Sequence, residues 1–572
     1  MKSFIKLSMA IICSAIIFSA CKNKSNDIGK MIPKNALIIV HMNAKSLSSK
    51  LSWDEIKQTT WYNHLYNDSS KPAWTKALMD DPQKSGIDMN SDLIFFALKN
   101  MENTDLVFEG NVKDSKAFAD LIKNIHPDAV ISKDGDLNIV SMDKGTVAWN
   151  DKKFAMVTNF AEHFNMHGMN DSAMTDSVKA APPLVAPSNN LLSVCKSLFS
   201  LTSDSSMEKN ERFGDLIKED GDIHYWQNTE ELVKSSMSAG MGMIGMLKLD
   251  VFYKENVSTI TASFDNGKIN FKQRMYAAKE FTDVLKKMNN ADFNTDMIKN
   301  IPGQNLAVVF AWHFNPEGLM DLIKLTGMDG FINMFLVQKG ISLDDIIKAT
   351  KGDVVFALSD LKMQKDSTGA DTINGMQHKE MPQHTFLFST SIGDKDAFNK
   401  VLTVVKTLDK NTGHVSEQNY KSSNKYFVAG NSLAAMNSFL AENKTEHAFL
   451  DKIKGHPAGG YADVQMIFNA FRDSFTKDSA AKALYDINVK MWDNGLFYGG
   501  EYKDGGFTGS AEINLIDKNT NSLKQLNKYA DAMSQIIIEE KKKHPGGWMK
   551  DSSAVMHTDT SLHKNTHKPS TK

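Results

Sequence analysis

Gly240, Gly242 and Gly245 have the spacing that lets a backbone approach a dinucleotide pyrophosphate, and Asp265 follows at a suitable distance. That chemistry needs a strand before the glycines and a helix opening at them. Here ELVKSSMSA precedes them and reads as helix, while Asp265 belongs to a turn, so no cofactor is expected. Met237, Met241, Met243 and Met246 run through the same stretch. At helical spacing they read as core filler; the alternative is a pliable apolar surface for a lipid, a ligand or a partner. Ser-x-x-Lys occurs at Ser206–Lys209, Ser422–Lys425 and Ser561–Lys564. The Ser-Asp-Asn and Lys-Thr-Gly elements that would make one of them a penicillin-recognising nucleophile are missing. Cys195 lacks the local signature of a reactive thiol and is expected to be buried. CxxC and HExxH are absent, and His378, His384, His557, His563 and His567 are scattered through polar stretches, so no metal is expected.

The one residue with a strong chemical signature is Cys21. Met1–Lys6 is short and basic, and LSMAIICSAIIFSA at 7–20 is apolar or small throughout. This run is shorter than the ~20 residues a spanning helix needs and fits the hydrophobic region of an export signal. Phe18-Ser19-Ala20-Cys21 resembles the box cut by the lipoprotein signal peptidase, with Phe18 in place of the usual Leu. The expectation is that 1–20 is removed, that Cys21 is acylated, and that 21–31 (opening KNKSNDIGK) is a polar tether. Lys22, rather than an acid, follows the cysteine; by resemblance to known sorting rules this points to the outer membrane. With Cys13 removed and Cys21 acylated, Cys195 would have no partner for a disulfide. A net charge of -2 gives no electrostatic reason to bind nucleic acid.

The elements that carry these residues repeat. Ile32-Pro33 opens the alternating run ALIIVHMN, and Ile301-Pro302 opens NLAVVFAW. Gly86-Ile87 leads through DLIFFALKN and DLVFEGNV to the helix DSKAFADLIKNI; Gly340-Ile341 leads through GDVVFALSD and HTFLFSTSI to DKDAFNKVLTVV. FAMVTN at 154–159 is matched with LAAMNS at 433–438, and DIHYWQN at 222–228 with DVQMIFN at 463–469. Asp265-Asn266-Gly267 and Asp504-Gly505-Gly506 each mark a hairpin turn followed by a helix. The pattern predicts an α+β fold: two tandem divergent copies, 32–289 and 301–535, each an antiparallel sheet backed by helices. The stretches 165–190 and 362–383 read as loop inserts, and 541–572 as a polar tail with too little apolar content to fold.

IPKNALIIVHMNAKSLSSKL and DPQKSGIDMNSDLIFFAL resemble a group of Bacteroidetes-type envelope lipoproteins classed as a domain of unknown function, and the pattern runs through most of the chain. The resemblance implies an envelope location and a duplicated architecture, and no activity. The expected function is therefore a membrane-anchored lipoprotein with a non-enzymatic binding or structural role, its partner an envelope protein or an apolar ligand. The alternatives are an exported hydrolase with a site assembled from distant residues, and a surface carbohydrate-handling protein. The hydrolase would show a polar cluster in one copy that the other lacks. The carbohydrate reading needs exposed aromatics on one face, and Trp53, Trp61 and Trp74 are the only local concentration of tryptophan.

Overall fold

The computed structural model describes residues 26–100, 103–142, 145–159, 189–236, 248–303, 305–365, 380–409, 419–475 and 478–543. It is an α+β protein built on one antiparallel sheet. The first half supplies β1 (Ile38–Met42), β2 (Leu93–Asn100), β3 (Asn103–Asn111), β4 (Ser132–Asp134), β5 (Leu137–Met142), β6 (Gly145–Trp149), β7 (Lys153–Asn159), β8 (Ile223–Asn228), β9 (Val257–Asp265) and β10 (Lys268–Tyr276). The second supplies β11 (Leu306–His313), β12 (Thr350–Lys365), β13 (Glu380–Ile392), β14 (Tyr420–Ser422), β15 (Tyr426–Gly430), β16 (Ala458–Asp463), β17 (Trp492–Lys503) and β18 (Gly506–Leu515).

Strand pairing gives the two halves the same order. In the first, β7-β3-β2-β1-β8-β9-β10 are neighbours, with β6, β5 and β4 continuing outward. In the second, β15-β13-β12-β11-β16-β17-β18 are neighbours, with β14 outermost. β10 pairs with β18, so the halves meet edge to edge and the innermost edges are both covered. Gly267 (φ +65°) and Gly505 (φ +84°) supply the positive φ that the two tight hairpins demand.

Period-two alternation splits the side chains into two faces. On one face Ile39, Phe96, Val107 and Val157 pack beneath Cys195 and Leu198 of the helix Asn189–Phe199 and Phe213 and Leu216 of the helix Glu211–Lys218. The same face of the second half buries Val309, Ala311, Val355, Leu387 and Val428 beneath Met297, Ile298, Met436, Phe439 and Ile453. On the other face of the first half, Phe108 and Phe154 lie under Phe118, Leu121 and Ile122 of the helix Ser115–Ile125. Asp114 caps that helix by accepting from the backbone N–H groups of Lys116 and Ala117; Asp394 accepts from Ala397 at its counterpart.

Four element assignments read from sequence need correction. LAAMNS is the start of the helix Leu433–Leu440, because the Ser432 hydroxyl accepts from Ala435 N–H and caps it; the strand in the position of β7 is β15. DVQMIFN is the helix Val464–Ala470, capped by Asp463 on Met466 N–H; the counterpart of β8 is β16. The insert at 362–383 is shorter than expected, since Lys362–Lys365 and Glu380–Gln383 pair across the β12–β13 hairpin. The last helix, Ser522–Lys543, runs past 535 and includes Lys541, Lys542 and Lys543, three cations at its carbonyl end. Residues 160–188 and 544–572 lie outside the described residues.

Candidate functional site

Following the register across the second half shows one row of side chains on a single face: Ala429, Phe388, Phe356, Phe310, Gly460, Phe497, Ala511 and Phe271. It runs from β15 to β10. At a strand spacing of about 4.8 Å, Phe388 and Phe497 are roughly 19 Å apart. This is the face opposite the helix-covered core described above. Phe310 and Phe388 are each 36% exposed and Phe497 43% exposed. Exposed apolar side chains are ordinary one at a time; an in-register series on adjacent strands is a patch.

Gly460 lets the row lie flat. A Cβ there would stand 2.4 Å from Cε1 of Phe497. The ring of Phe497 therefore leans over the glycine and stacks on Phe310, centroids 6.0 Å apart and planes at 28°. Phe386 adds a second ring beside Phe356 at 5.2 Å. In the first half the register equivalents of Phe356 and Phe388 are Phe95 and Phe108, opposite one another on β2 and β3. They stack at 4.5 Å, and Phe108 is buried in the cluster that holds Phe118. In the second half Phe398 of the helix Lys395–Asp409 packs on Phe427 instead. The same aromatic pair is thus core in one half and surface in the other.

A second cluster lies on the buried face of the first half. His41 and His224 are opposite one another on β1 and β8, and both are buried. Their Nδ1 atoms are 3.0 Å apart. His224 Nε2 lies 3.0 Å from the Glu219 carbonyl oxygen, which can only accept, so that nitrogen carries a proton. In neutral His224 the Nδ1 is then the acceptor, and His41 Nδ1 is the donor. His41 Nε2 lies 3.1 Å from Asp92 Oδ2, within ion-pair reach though off the line of a hydrogen bond. Burial first, and the His41 ring second, hold His224 below the usual imidazole range. Asp222, fully buried, accepts from Ser46 Oγ, Lys50 Nζ and Phe264 N–H, each at 2.6 Å. In the second half the register positions of His41 and His224 are occupied by Ala311 and Gly459. The second half instead pairs His313 Nδ1 with Asp353 Oδ1 at 2.9 Å, and the clefts at Ile28–Lys218 and Leu361–Asp473 include neither His41 nor His224 among their walls.

Cys21 and the four methionines Met237, Met241, Met243 and Met246 lie outside the described residues, as do the glycines at 240–245. Cys195 is buried as expected; its Sγ donates toward the Ala155 carbonyl at 3.5 Å, and burial pushes its pKa up to about 12. Trp53 is core, its indole N–H bonded to the Met79 carbonyl, and Trp61 and Trp74 pack against apolar clusters. Among the described residues the exposed aromatics are Phe252, Phe310, Phe331, Phe335, Phe388, Phe497 and Tyr502 rather than these tryptophans. Ser206 caps the short turn Met207–Lys209. Among the described residues no group of three His, Cys, Asp or Glu side chains is placed to hold a metal, and no helix is long and apolar enough to cross a membrane.

A family profile described as a domain of unknown function (DUF4836) matches residues 29–181. The match takes in β1 to β7, a narrower span than the repeated pattern of the whole chain. No curated protein and no solved structure matches the chain.

Proposed function

We propose that this chain is a membrane-anchored envelope lipoprotein with a non-enzymatic binding role, held by an acylated Cys21, and that its body receives an apolar partner on the phenylalanine row of the second half. The carrying observation is the row itself: Phe388, Phe356, Phe310 and Phe497 in register, with Gly460 making room for the stack. A lone core defect would expose one ring. A run across adjacent strands, opposite a face that is properly covered, is what a binding surface requires. The signal-like 1–20, the FSAC ending and Lys22 support export and the outer membrane. The matching seven-strand orders support reading the halves as tandem divergent copies, in which the first copy kept its aromatic pair under a helix and the second put it to use.

The test is displacement of water-sensitive fluorescence from a neutral naphthylamine probe. The full chain should enhance the probe's emission, and Phe310→Ser with Phe497→Ser should remove most of the enhancement while leaving the far-ultraviolet circular dichroism unchanged. Equal enhancement by both proteins would sink the reading.

The hydrolase alternative draws on the polar cluster of His41, His224 and Asp92. What weighs against it is that His41 and His224 are each 2% exposed and line neither cleft, so a substrate has no path to their rings.

A further inference from the structure

We propose that the helix Asp329–Val337 is a membrane-docking face, whose outer side chains enter a lipid bilayer with acidic headgroups. The inference rests on the lipoprotein reading for what brings the bilayer near, and on the exposed helix for the contact itself. Residues 330–338, GFINMFLVQ, carry no charge. Ile332 and Leu336 take the inner side of the helix and pack against Met320, Ile323, Ile346 and Val404. Phe331, Met334 and Phe335 take the outer side, at the i, i+3, i+4 spacing of one face. These three and Val337 are each between 49% and 70% exposed. A helix that is apolar all round belongs in a core or in lipid, and this one has a core on one side only. The four exposed side chains line neither cleft, so they stand out from the surface rather than wall a groove.

Charge and chain position commit this face to a bilayer. Exposed Lys324 and Lys339 flank the apolar run, and Lys339 Nζ lies 6.0 Å from the centre of the Phe335 ring. Cations beside an apolar helix face are what hold an interfacial helix to acidic headgroups. Asp329, the one acid between the two lysines, sits in the first turn, where the helix dipole favours it. The chain from the anchor reaches the same end of the sheet. β1 starts, β8 ends and β9 starts there. Asn228 N–H donates to the Leu37 carbonyl and Thr229 N–H to the Asn256 carbonyl, each at 2.9 Å. The β8–β9 connection then touches the base of the helix, since Lys248 N–H donates at 3.1 Å to the carbonyl of Thr326, three residues before Asp329. Cys21 is five residues from Asn26, a reach of at most ~17 Å in the most extended chain. An acyl group at Cys21 thus keeps the body against the bilayer.

A fluorescent dansyl amino acid in place of Met334 tests this in the full chain, reconstituted in vesicles of phosphatidylethanolamine and phosphatidylglycerol. Nitroxides on the lipid acyl chains should quench the label at 334 about fivefold or more strongly than the same label at Val130, and iodide in the water should quench it little. Phe331→Ser with Phe335→Ser should remove that difference, while the far-ultraviolet circular dichroism stays unchanged and the chain still floats with the vesicles through its anchor. Iodide quenching at 334 without nitroxide quenching overturns the proposal, because the face is then in water. Shielding from both quenchers also overturns it, since the face is then covered by the chain's own segment 237–247 or by a second copy. Nitroxide quenching that survives the double substitution overturns it as well. The mass of the same preparation reads acylation of Cys21 separately. A chain without the acyl group is mixed with the same vesicles and scored alike, so a failed anchor and a failed face give different results.

Discussion

Phe310 and Phe497 stack across Gly460 although β16 lies between their strands, with 6.0 Å separating the ring centroids. Rings two strands apart meet only because the residue between them has no side chain. Gly460 is therefore a constraint on the surface as well as on the strand. A Cβ at 460 would also come within 2.9 Å of the Val309 carbonyl oxygen, so the Phe497 ring cannot simply make way. Gly460→Ala is expected to destabilise by about 1–3 kcal/mol, the usual cost of overpacking, and to weaken probe binding. Urea unfolding with unchanged midpoint would contradict this.

One face of the sheet predicts different responses to truncation in the two halves. Phe154, 1% exposed, lies in the first-half core, and Phe154→Ala should cost about 3–5 kcal/mol. Phe497 is 43% exposed and has less burial to lose, so Phe497→Ala should cost less than about 1.5 kcal/mol. Equal losses in thermal or urea unfolding would mean that the row is core after all.

Glu109 gives a pH prediction. It is 2% exposed, its Oε2 has no hydrogen-bond partner, and burial pushes its pKa up to about 8, with Lys153 acting weakly the other way. The folded state thus keeps a proton that the unfolded chain gives up near pH 4.5. Glu109's contribution is fully present below that value and is lost as pH rises toward 8, at up to about 1.4 kcal/mol per pH unit. Glu109→Gln should flatten stability across this interval and be more stable than the wild type at its upper end. A wild type whose stability rises between pH 5 and 8 by the same amount as the variant's would contradict the assignment.

Cys195 should be inert in the folded protein. With its pKa near 12 and its side chain fully buried, almost no thiolate exists at neutral pH and no reagent can reach it. A thiol-reactive dye should label it only after denaturant is added; rapid labelling of the native chain would contradict the packing.

The anchor is tested by Cys21→Ala, motivated by the FSAC ending. The variant should accumulate uncut and take up no radiolabelled palmitate. Continued incorporation of label would place the lipid elsewhere or remove it from the account.

Much of the fold was legible because strands announce themselves by alternation and hairpins by Asp-Gly turns; ALIIVHMN and the turns at 265–267 and 504–506 fall where they were expected. LAAMNS and DVQMIFN were misread because short apolar runs carry no period that separates strand from helix. The usable signals were the caps Ser432 and Asp463. The phenylalanine row was hidden for a different reason. Each Phe belongs to a separate strand, and only the register places them side by side. A hint was present in AVVFAW and VVFALS, where apolar residues occupy both parities, as they do when neither face of a strand is given to water. The histidine pair had no local signature, since its members are separated by 183 positions.

The most direct test of the phenylalanine row as a docking surface is photo-crosslinking in living cells. A benzophenone amino acid replaces Phe497, and a control carries it at Val130, which is 81% exposed and lies away from the row. The account predicts a discrete adduct, formed at 497, absent at 130 and lost when Phe310→Ser is added. The same weak background at both positions, or an adduct at 497 that survives Phe310→Ser, would contradict it.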